Sequence, residues 1–406
     1  PYPAYKDSGV EWLGQVPEHW TIGPYKATIQ IENGSDYKEV ESDDGYPVIG
    51  SGGPFAYSSK RMYDGESVLL GRKGTIDKPL YVNGAFWAVD TMYWSIIKPG
   101  AHGRFAYYIA TTIPFDMYST NTALPSMTKS VLGSHLVAFP GFEEQQVIAN
   151  HLDRETARID ALVAKKTRFI ELLREKRQAL ITHAVTKGLD PNVTMKDSGV
   201  EWLGEVPEHW DVLSFQRCVF IAEGQVDPEK SPYREMILLA PNHIESGSGL
   251  LLHTETAEEQ SAESGKYLCE KGDVVYSKIR PALRKVCMAP EVSLCSADMY
   301  PMRGHSGMSN QFLFWFLLSE PFSAFAVLEA DRVAMPKINR ESLNSVQLPR
   351  PPFSEQLEIV ARLSQATTRL DNLRVRTERS VELLKERRSA LITAAVTGQI
   401  DLRETA

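Results

Sequence analysis

Residues 6–20 read KDSGVEWLGQVPEHW, and residues 196–210 read KDSGVEWLGEVPEHW. Fourteen of these fifteen positions are identical; only Gln15 against Glu205 differs, and the offset is 190 residues. A second block returns at an offset of 211, where Ala123-Leu124-Pro125-Ser126-Met127-Thr128-Lys129 matches Ala334-Met335-Pro336-Lys337-Ile338-Asn339-Arg340. The match continues from Phe142, Glu144, Gln145, Ile148 and Leu152 to Phe353, Glu355, Gln356, Ile359 and Leu363, and ELLREKRQALITHAVT (171–186) finds ELLKERRSALITAAVT (382–397). The offsets differ by 21, so the second intervening segment is 21 residues longer than the first. Those segments, about 21–122 and 211–333, share little. The order is constant, variable, constant, twice over. A period near 200 residues is too long for a solenoid; it describes one scaffold carrying two different heads.

The scaffold reads as helical. From Glu143 to Lys187 there is no Pro or Gly, with Pro140-Gly141 before it and Gly188 and Pro191 after it; these are helix start and stop signals. Leu152, Ile159, Val163, Ile170, Leu173, Leu180 and Ala184 follow one another by steps of seven, four or three, a heptad seam. The second copy places Ile359, Leu363, Leu370, Val381, Leu384, Leu391 and Ala395 on a similar seam, after Pro351-Pro352 and a candidate N-cap at Ser354, and stops at Gly398. Each helix of roughly 43 residues would run roughly 64 Å at 1.5 Å per residue. An apolar stripe of that length must be covered, and an antiparallel pair is the simplest cover, because a whole globular segment separates the helices. Arg177 and Arg388 hold equivalent seam positions, either fixing register or lying at an edge. The first helix ends near Asp190 and the next block starts at Lys196. By pseudosymmetry Asp401 should then lie near Lys6, within the roughly 21 Å that six residues can span, giving a quasi-circular, pseudo-twofold fold. The expected segments are a first head at 1–140, a spacer helix at 141–190, a second head at 191–350 and a second spacer helix at 351–406.

Bulk properties set limits. The 406 residues are 43% apolar and 24% charged, a globular composition of two or three domains. No run of about 18 apolar residues suggests a bilayer span. The opening PYPAYKD has no signal-peptide core and no initiator Met, which leaves room for processing or trimming. Cys218, Cys269, Cys287 and Cys295 form no CxxC pair and read as free thiols in a reducing cytosol. The formal charge of −8 is unlike most nucleic-acid binders, but binding needs only a local basic face, and a basic partner could help.

Both heads read as mixed α/β with short strands. In the first, Ser67-Val68-Leu69-Leu70 leads into Gly71-Arg72-Lys73-Gly74-Thr75, with Lys78 beyond. In the second, Val274-Val275-Tyr276-Ser277 leads into Lys278-Ile279-Arg280-Pro281, with Arg284 and Lys285 beyond. A strand feeding a basic turn can aim Arg and Lys at phosphates or guanine edges; its bland counterpart is a solvated hairpin. The Ala-Φ-Pro loops end in Ser126, Thr128 and Lys129 and in Lys337, Asn339 and Arg340, which suit either a DNA-facing loop or a docking corner of head on helix. Thr120-Asn121-Thr122 and Asn242-His243 add hydrogen-bonding side chains. Trp12, Trp20, Trp202 and Trp210 sit in blocks that hardly change between dissimilar heads, so they read as scaffold packing rather than base-stacking platforms.

Catalytic signatures are missing. There is no GxxxxGK[ST] phosphate loop, and Gly50-Ser51-Gly52-Gly53 is only a turn. Lys230-Ser231-Pro232-Tyr233 lacks the second proline of an amino-methyltransferase motif. Asp227, Glu229 and Glu263 are carboxylates that any acidic protein supplies, and no metal-ligand spacing stands out.

Taken together, the two KDSGVEWLG-x-VPEHW blocks, the Ala-Φ-Pro loops, the F-x-EQ helix starts and the ELL[RK]E[KR]R-x-ALIT-x-AVT helix ends resemble the type I restriction-modification specificity subunits (the HsdS family) along the full length. The resemblance implies two α/β target recognition domains, each reading one half of a bipartite site on double-stranded DNA. It implies helices that set the gap between half-sites, and no catalytic site on this chain. It further implies two methyltransferase subunits docked on the helices and restriction/translocase subunits beyond them. S-adenosylmethionine, ATP and Mg are then expected on those partners and no cofactor on this chain, in the cytoplasm. On position and charge, the DNA-contact candidates are Arg72, Lys73, Thr75, Lys78, Asn121, Ser126, Lys129, Asn242, Ser277, Lys278, Arg280, Arg284, Lys337, Asn339 and Arg340. Leu173, Arg177, Leu180, Leu384, Arg388 and Leu391 are the candidates for partner docking. A coiled-coil adaptor whose heads bind proteins, and the specificity part of a single-chain restriction enzyme, are the alternatives.

Overall fold

The computed structural model describes residues 1–118, 126–330 and 337–403. The chain divides into two compact units, Pro1–Thr167 with Arg379–Ala406, and Arg168–Glu378. Two long helices, α1 (Phe142–Lys187) and α2 (Phe353–Val396), each contribute to both units. The second starts at Phe353, so Ser354 lies in the first turn and not at the N-cap; the Gln356 amide instead donates to the Pro352 carbonyl at 3.0 Å.

Within each unit the helices pair antiparallel, as the seam predicts. In the first unit Arg388 Nε donates to Asp160 at 2.9 Å, while Ile392, Ala395 and Val396 share a core with Ile148, Ala149 and Leu152. In the second, Arg177 Nε meets Asp371 at 3.2 Å and Arg174 meets Glu378 at 3.4 Å, while Ile181, Ala184 and Val185 share a core with Ile359 and Leu363. The expected closure of the chain is found inside the first unit: Tyr5 Oη donates to the Gly398 carbonyl at 3.2 Å and Gln399 Nε2 to the Gln15 carbonyl at 2.7 Å.

The repeated blocks are corner pieces. Trp20 and Trp210 are fully buried. Their indoles donate to Glu144 and Glu355, both at 3.1 Å, and His19 and His209 meet the same carboxylates at 2.9 and 2.8 Å. The glutamines of F-x-EQ are buried one residue on. Gln145 Nε2 donates to Gly100 and Pro140 carbonyls, and its Oε1 accepts from His102 N at the start of helix Gly103–Ala110. Gln356 does the same with Gly307, Pro351 and Ser309 N at the start of helix Asn310–Leu317. One buried amide in each head thus adds a tie to its long helix whose lost bonds water cannot replace. Gln356→Met should therefore cost about 1–3 kcal/mol for each orphaned group, read as a lower midpoint in thermal or denaturant unfolding; an unchanged midpoint would remove this role.

The heads differ in architecture. Among the described residues, the first head has a seven-stranded sheet, and the second has two four-stranded sheets. Both contain the strand pair that carries the basic turn. In the first it is β1 (Tyr63–Gly71) against β2 (Met92–Ile97); in the second it is β3 (Val274–Ser277) against β4 (Met299–Gly304). No single helix among the described residues is long and apolar enough to cross a membrane. The bent pair Asn310–Leu317 and Glu320–Ala330 passes that test only jointly, and its Phe312, Phe316 and Phe322 are fully buried in the second core.

Candidate nucleic-acid interface

The turn after β1 and the residues after the first Ala-Φ-Pro loop, far apart in sequence, are joined by main-chain bonds. Lys73 and Ser126 form an antiparallel bridge, and Met127 N donates to the Arg72 carbonyl at 3.0 Å. The second head repeats the device: Ile279 bridges Lys337, and Ile338 N donates to the Lys278 carbonyl at 2.9 Å. The other side of each turn is also matched. Arg72 N donates to Thr91 O and Lys278 N to Asp298 O, both at 2.9 Å, and the following strand presents Tyr93 or Tyr300 beneath the cation. The Arg72 guanidinium lies 5.8 Å from the Tyr93 ring centre, and the Lys278 ammonium 5.3 Å from that of Tyr300. Desolvation raises the Tyr300 pKa, with the Arg340 guanidinium working against it; the phenol stays protonated, a donor beside the cations.

Tight geometry holds both turns. A Cβ on Gly71 would come within 2.4 Å of the Thr75 carbonyl oxygen, so only glycine lets the chain double back there. In the second head, Arg280 and Arg284 flank Pro281–Leu283 with φ of 47° and 46°. A left-handed backbone at a residue with a Cβ is strained, typically by about 1–3 kcal/mol, and such strain concentrates at working sites. Arg280→Gly should remove the strain, leaving stability unchanged or higher by up to about 1 kcal/mol, while weakening DNA binding. Parallel unfolding and DNA titrations check this; a less stable protein with unchanged binding would contradict it.

The structure sorts the candidates by whether their polar groups are already used. Lys73, Lys78, Arg280 and Lys337 are exposed, and their charged ends have no ion-pair partner among the described residues. Thr75 is exposed on the same turn, and Arg72 spends one bond on the Asp90 carbonyl at 3.3 Å. Other candidates are committed internally. Ser277 is buried and donates to the Ile279 carbonyl at 3.1 Å, so it faces inward. Arg284 pairs with Glu320 and donates to Ser323 at 2.9 Å. Asn339 caps helix Arg340–Ser345, accepting from Ser342 N at 2.7 Å, and Arg340 donates to the Ile221 and Ala222 carbonyls at 2.8 and 2.9 Å. Lys129 pairs with Glu32 at 3.1 Å. Asn242 is exposed on a separate 3-10 turn, Pro241–His243, whose first carbonyl accepts from Lys285 Nζ at 2.6 Å. Asn121 lies outside the described residues. The residues after the Ala-Φ-Pro loops thus split between the two readings: Ser126 and Lys337 border the turn, and the next few dock head structure.

The docking candidates lie along the chain's own helix seam. Leu173 and Arg177 are buried, while Leu180, Leu384, Arg388 and Leu391 are half-buried along the seam. Arg177 also donates to the Gly247 and Ser248 carbonyls at 3.1 and 2.7 Å, pinning a head loop to its helix. These residues hold this chain together. Among the outward apolar residues of the helices, Leu162 and Leu172 on α1 recur at the same repeat positions on α2 as Leu373 and Leu383.

The family model described as "Type I restriction modification DNA specificity domain" matches residues 17–172 and again 227–382. This chain belongs to that family. The two specificity domains it matches each contain one of the turn-and-loop devices. Among relatives, the chain is similar to the EcoDI specificity subunit of Escherichia coli, at 27% identity over 95% of this chain and 90% of that one. The MjaVIII specificity subunit of Methanocaldococcus jannaschii is 23% identical over 70% and 66%. In fold it is similar to a chain from a study of complex assembly and conformational transition in the type I R-M system, with TM-score 0.71, 15% identity and coverage of 95% and 99%. The HsdS subunit from Thermoanaerobacter tengcongensis has TM-score 0.52, 14% identity and coverage of 95% and 98%.

The tyrosines beneath the cations were absent from the candidates read from sequence. The signal was present: Asp90-Thr91-Met92-Tyr93 and Asp298-Met299-Tyr300 are similar tetrapeptide and tripeptide runs in otherwise dissimilar heads.

Proposed function

We propose that this chain is the DNA-sequence specificity subunit of a type I restriction-modification complex, each head reading one half of a bipartite site. The observation that carries this reading is the double construction of one device. A basic turn, a polar loop end and a tyrosine are assembled by equivalent main-chain bonds on two heads of different architecture. A device retained while its surroundings differ suits a common ligand with different sequences: a phosphate backbone to position against and base edges to distinguish. The chain supplies recognition and no catalytic groups. Two methyltransferase subunits bring S-adenosylmethionine and act on adenine flipped out of the duplex, and restriction/translocase subunits bring ATP and Mg. These are cytoplasmic assemblies. The net charge of −8 fits a division in which partners supply much of the phosphate contact, so the salt dependence of binding should be steeper for the complex than for this chain.

Leu162, Leu172, Leu373 and Leu383 are the natural contacts for the methyltransferases. Leu172→Asp with Leu383→Asp should leave this chain's unfolding midpoint within about 0.5 kcal/mol, as for ordinary surface changes, and should prevent co-purification of the methyltransferase. Retained co-purification would move the interface elsewhere.

The deciding experiment maps adenine methylation genome-wide in cells carrying this gene with its methyltransferase gene, against cells lacking this gene. A split motif that depends on this gene supports the reading and gives both half-sites and the gap. Methyltransferase activity with no such motif rejects it in favour of a protein-binding adaptor.

A further inference from the structure

The second head contains a histidine that DNA reading does not explain. His243 ends the 3-10 turn Pro241–His243 and is fully buried. Neither ring nitrogen makes a hydrogen bond of good geometry; the Leu238 backbone and the Glu255 carboxylate engage the ring only loosely. Buried imidazole nitrogens are normally well matched, so this ring has bonding capacity to spare. Main-chain bonds fold the following segment back over it: Leu252 N donates to the His243 carbonyl at 2.7 Å, Ile244 bridges Leu251, and Leu238 N donates to the Glu255 carbonyl at 2.8 Å. This return brings His253 and Glu255 to His243. The imidazole centres lie 4.4 Å apart, and one ligand atom from each of the three residues lies within 4.8 Å of the others. Among the described residues, this is the one group of three His, Cys, Asp or Glu side chains close enough to share an ion.

The separation between His243 Nε2 and Glu255 Oε2 is informative. At 3.5 Å it is too long for a good hydrogen bond. It matches the roughly 3.4 Å ligand–ligand edge of a tetrahedron with metal bonds of about 2.0–2.1 Å. We infer that His243, His253 and Glu255 bind a divalent cation of the zinc type, with water as fourth ligand. Two imidazoles and one carboxylate are borderline donors that suit zinc or cobalt better than magnesium or calcium. The cation would give the buried His243 a well-placed partner in place of loose contacts.

The site has a structural consequence inside the second unit. Between the ligands runs the loop whose Gly247 and Ser248 carbonyls hold Arg177 and whose Glu245 pairs with Arg374 at 3.3 Å. A cation joining 243 to 253 and 255 would clamp the base of that loop and so stiffen the attachment of head to helices. This inference is independent of the DNA-reading assignment.

The test uses the full-length chain, stripped with a chelator and titrated with Co²⁺, then with Zn²⁺. One equivalent of Co²⁺ should bind with visible d–d absorption, and Zn²⁺ should displace it. His253→Ala and Glu255→Ala alter side chains at the solvent side of the site, so both proteins should fold. Each should weaken Co²⁺ binding by at least about tenfold. His305→Ala, an exposed histidine elsewhere in the same unit, should change nothing. The inference is overturned if the unaltered chain shows no saturable one-equivalent binding. It is equally overturned if the His253 and Glu255 variants bind as tightly as the unaltered chain, or if His305→Ala weakens binding as much as they do.

Discussion

Reversing two charges on the first head, Lys73→Glu with Lys78→Glu, is expected to abolish recognition of one half-site and leave reading of the other intact. Both side chains are exposed; Lys73 sits on a turn fixed by main-chain bonds to Thr91 and by the bridge to Ser126, and Lys78 lies just beyond it. The substitution therefore changes charge and not shape. A cation placed on a base edge or phosphate is worth about 1–3 kcal/mol, so losing two contacts and adding repulsion should lower affinity on the order of 100-fold or more. The informative measurement is a competition series with DNA altered in one half-site at a time. For the double variant, altering its own half-site should no longer matter, while altering the other should cost as much as before, which is the logic of a double-mutant cycle. Arg280→Glu with Lys337→Glu should give the mirror result on the second head. Equal loss on both halves from either variant would mean that the turns add only diffuse charge. No loss from either would remove the turns from the interface.

The scaffold was the legible part of this sequence, for a physical reason. A long helix needs an uninterrupted stretch without Pro or Gly and a repeating apolar stripe, and both are visible in one dimension. The near-identical blocks show one scaffold element used twice. Sheet architecture was not legible, because short strands of mixed burial do not announce their neighbours, and so one seven-stranded sheet and two four-stranded sheets came from similar-looking segments. The site was half legible. An apolar strand running into clustered Arg and Lys is visible in sequence, and the structure shows that both such runs are turns held by equivalent main-chain bonds. Residue type could not say whose hydrogen-bonding capacity was already used, so Ser277, Arg284, Asn339 and Arg340 looked like Lys73 and Lys337. Tyr93 and Tyr300 lie within β2 and β4 and are buried in the head cores, so only the structure shows that their ring faces also carry the turn cations. Direction was not legible for the docking candidates: Leu173 and Arg177 are buried within the chain's own helix pair, and an apolar seam facing its own partner helix cannot be told by spacing from one facing another subunit.

Trp210→Ala should produce the largest loss of stability of any single substitution considered. The indole is fully buried. It meets the Phe312 ring edge-on at 6.4 Å, donates to Glu355, and packs against Gly188 just beyond the end of α1. Removing a buried Trp typically costs about 3–5 kcal/mol, against a total of about 5–15 kcal/mol for a native domain. Glu355 would keep only His209 from the pair of donors that the repeated block supplies. One side chain thus joins the block, the start of α2 and the end of α1, so its loss should loosen the second unit as a whole. Trp20 fills the same place in the first unit with Glu144, Phe105 and Gly398. Hydrogen exchange should therefore show protection lost across the second head in Trp210→Ala and across the first in Trp20→Ala, with the other unit largely unaffected. Uniform loss in both variants would show a single cooperative unit instead. A loss under about 1 kcal/mol would show that the corner is carried by the glutamine bonds at Gln145 and Gln356, with the indoles filling space beside them.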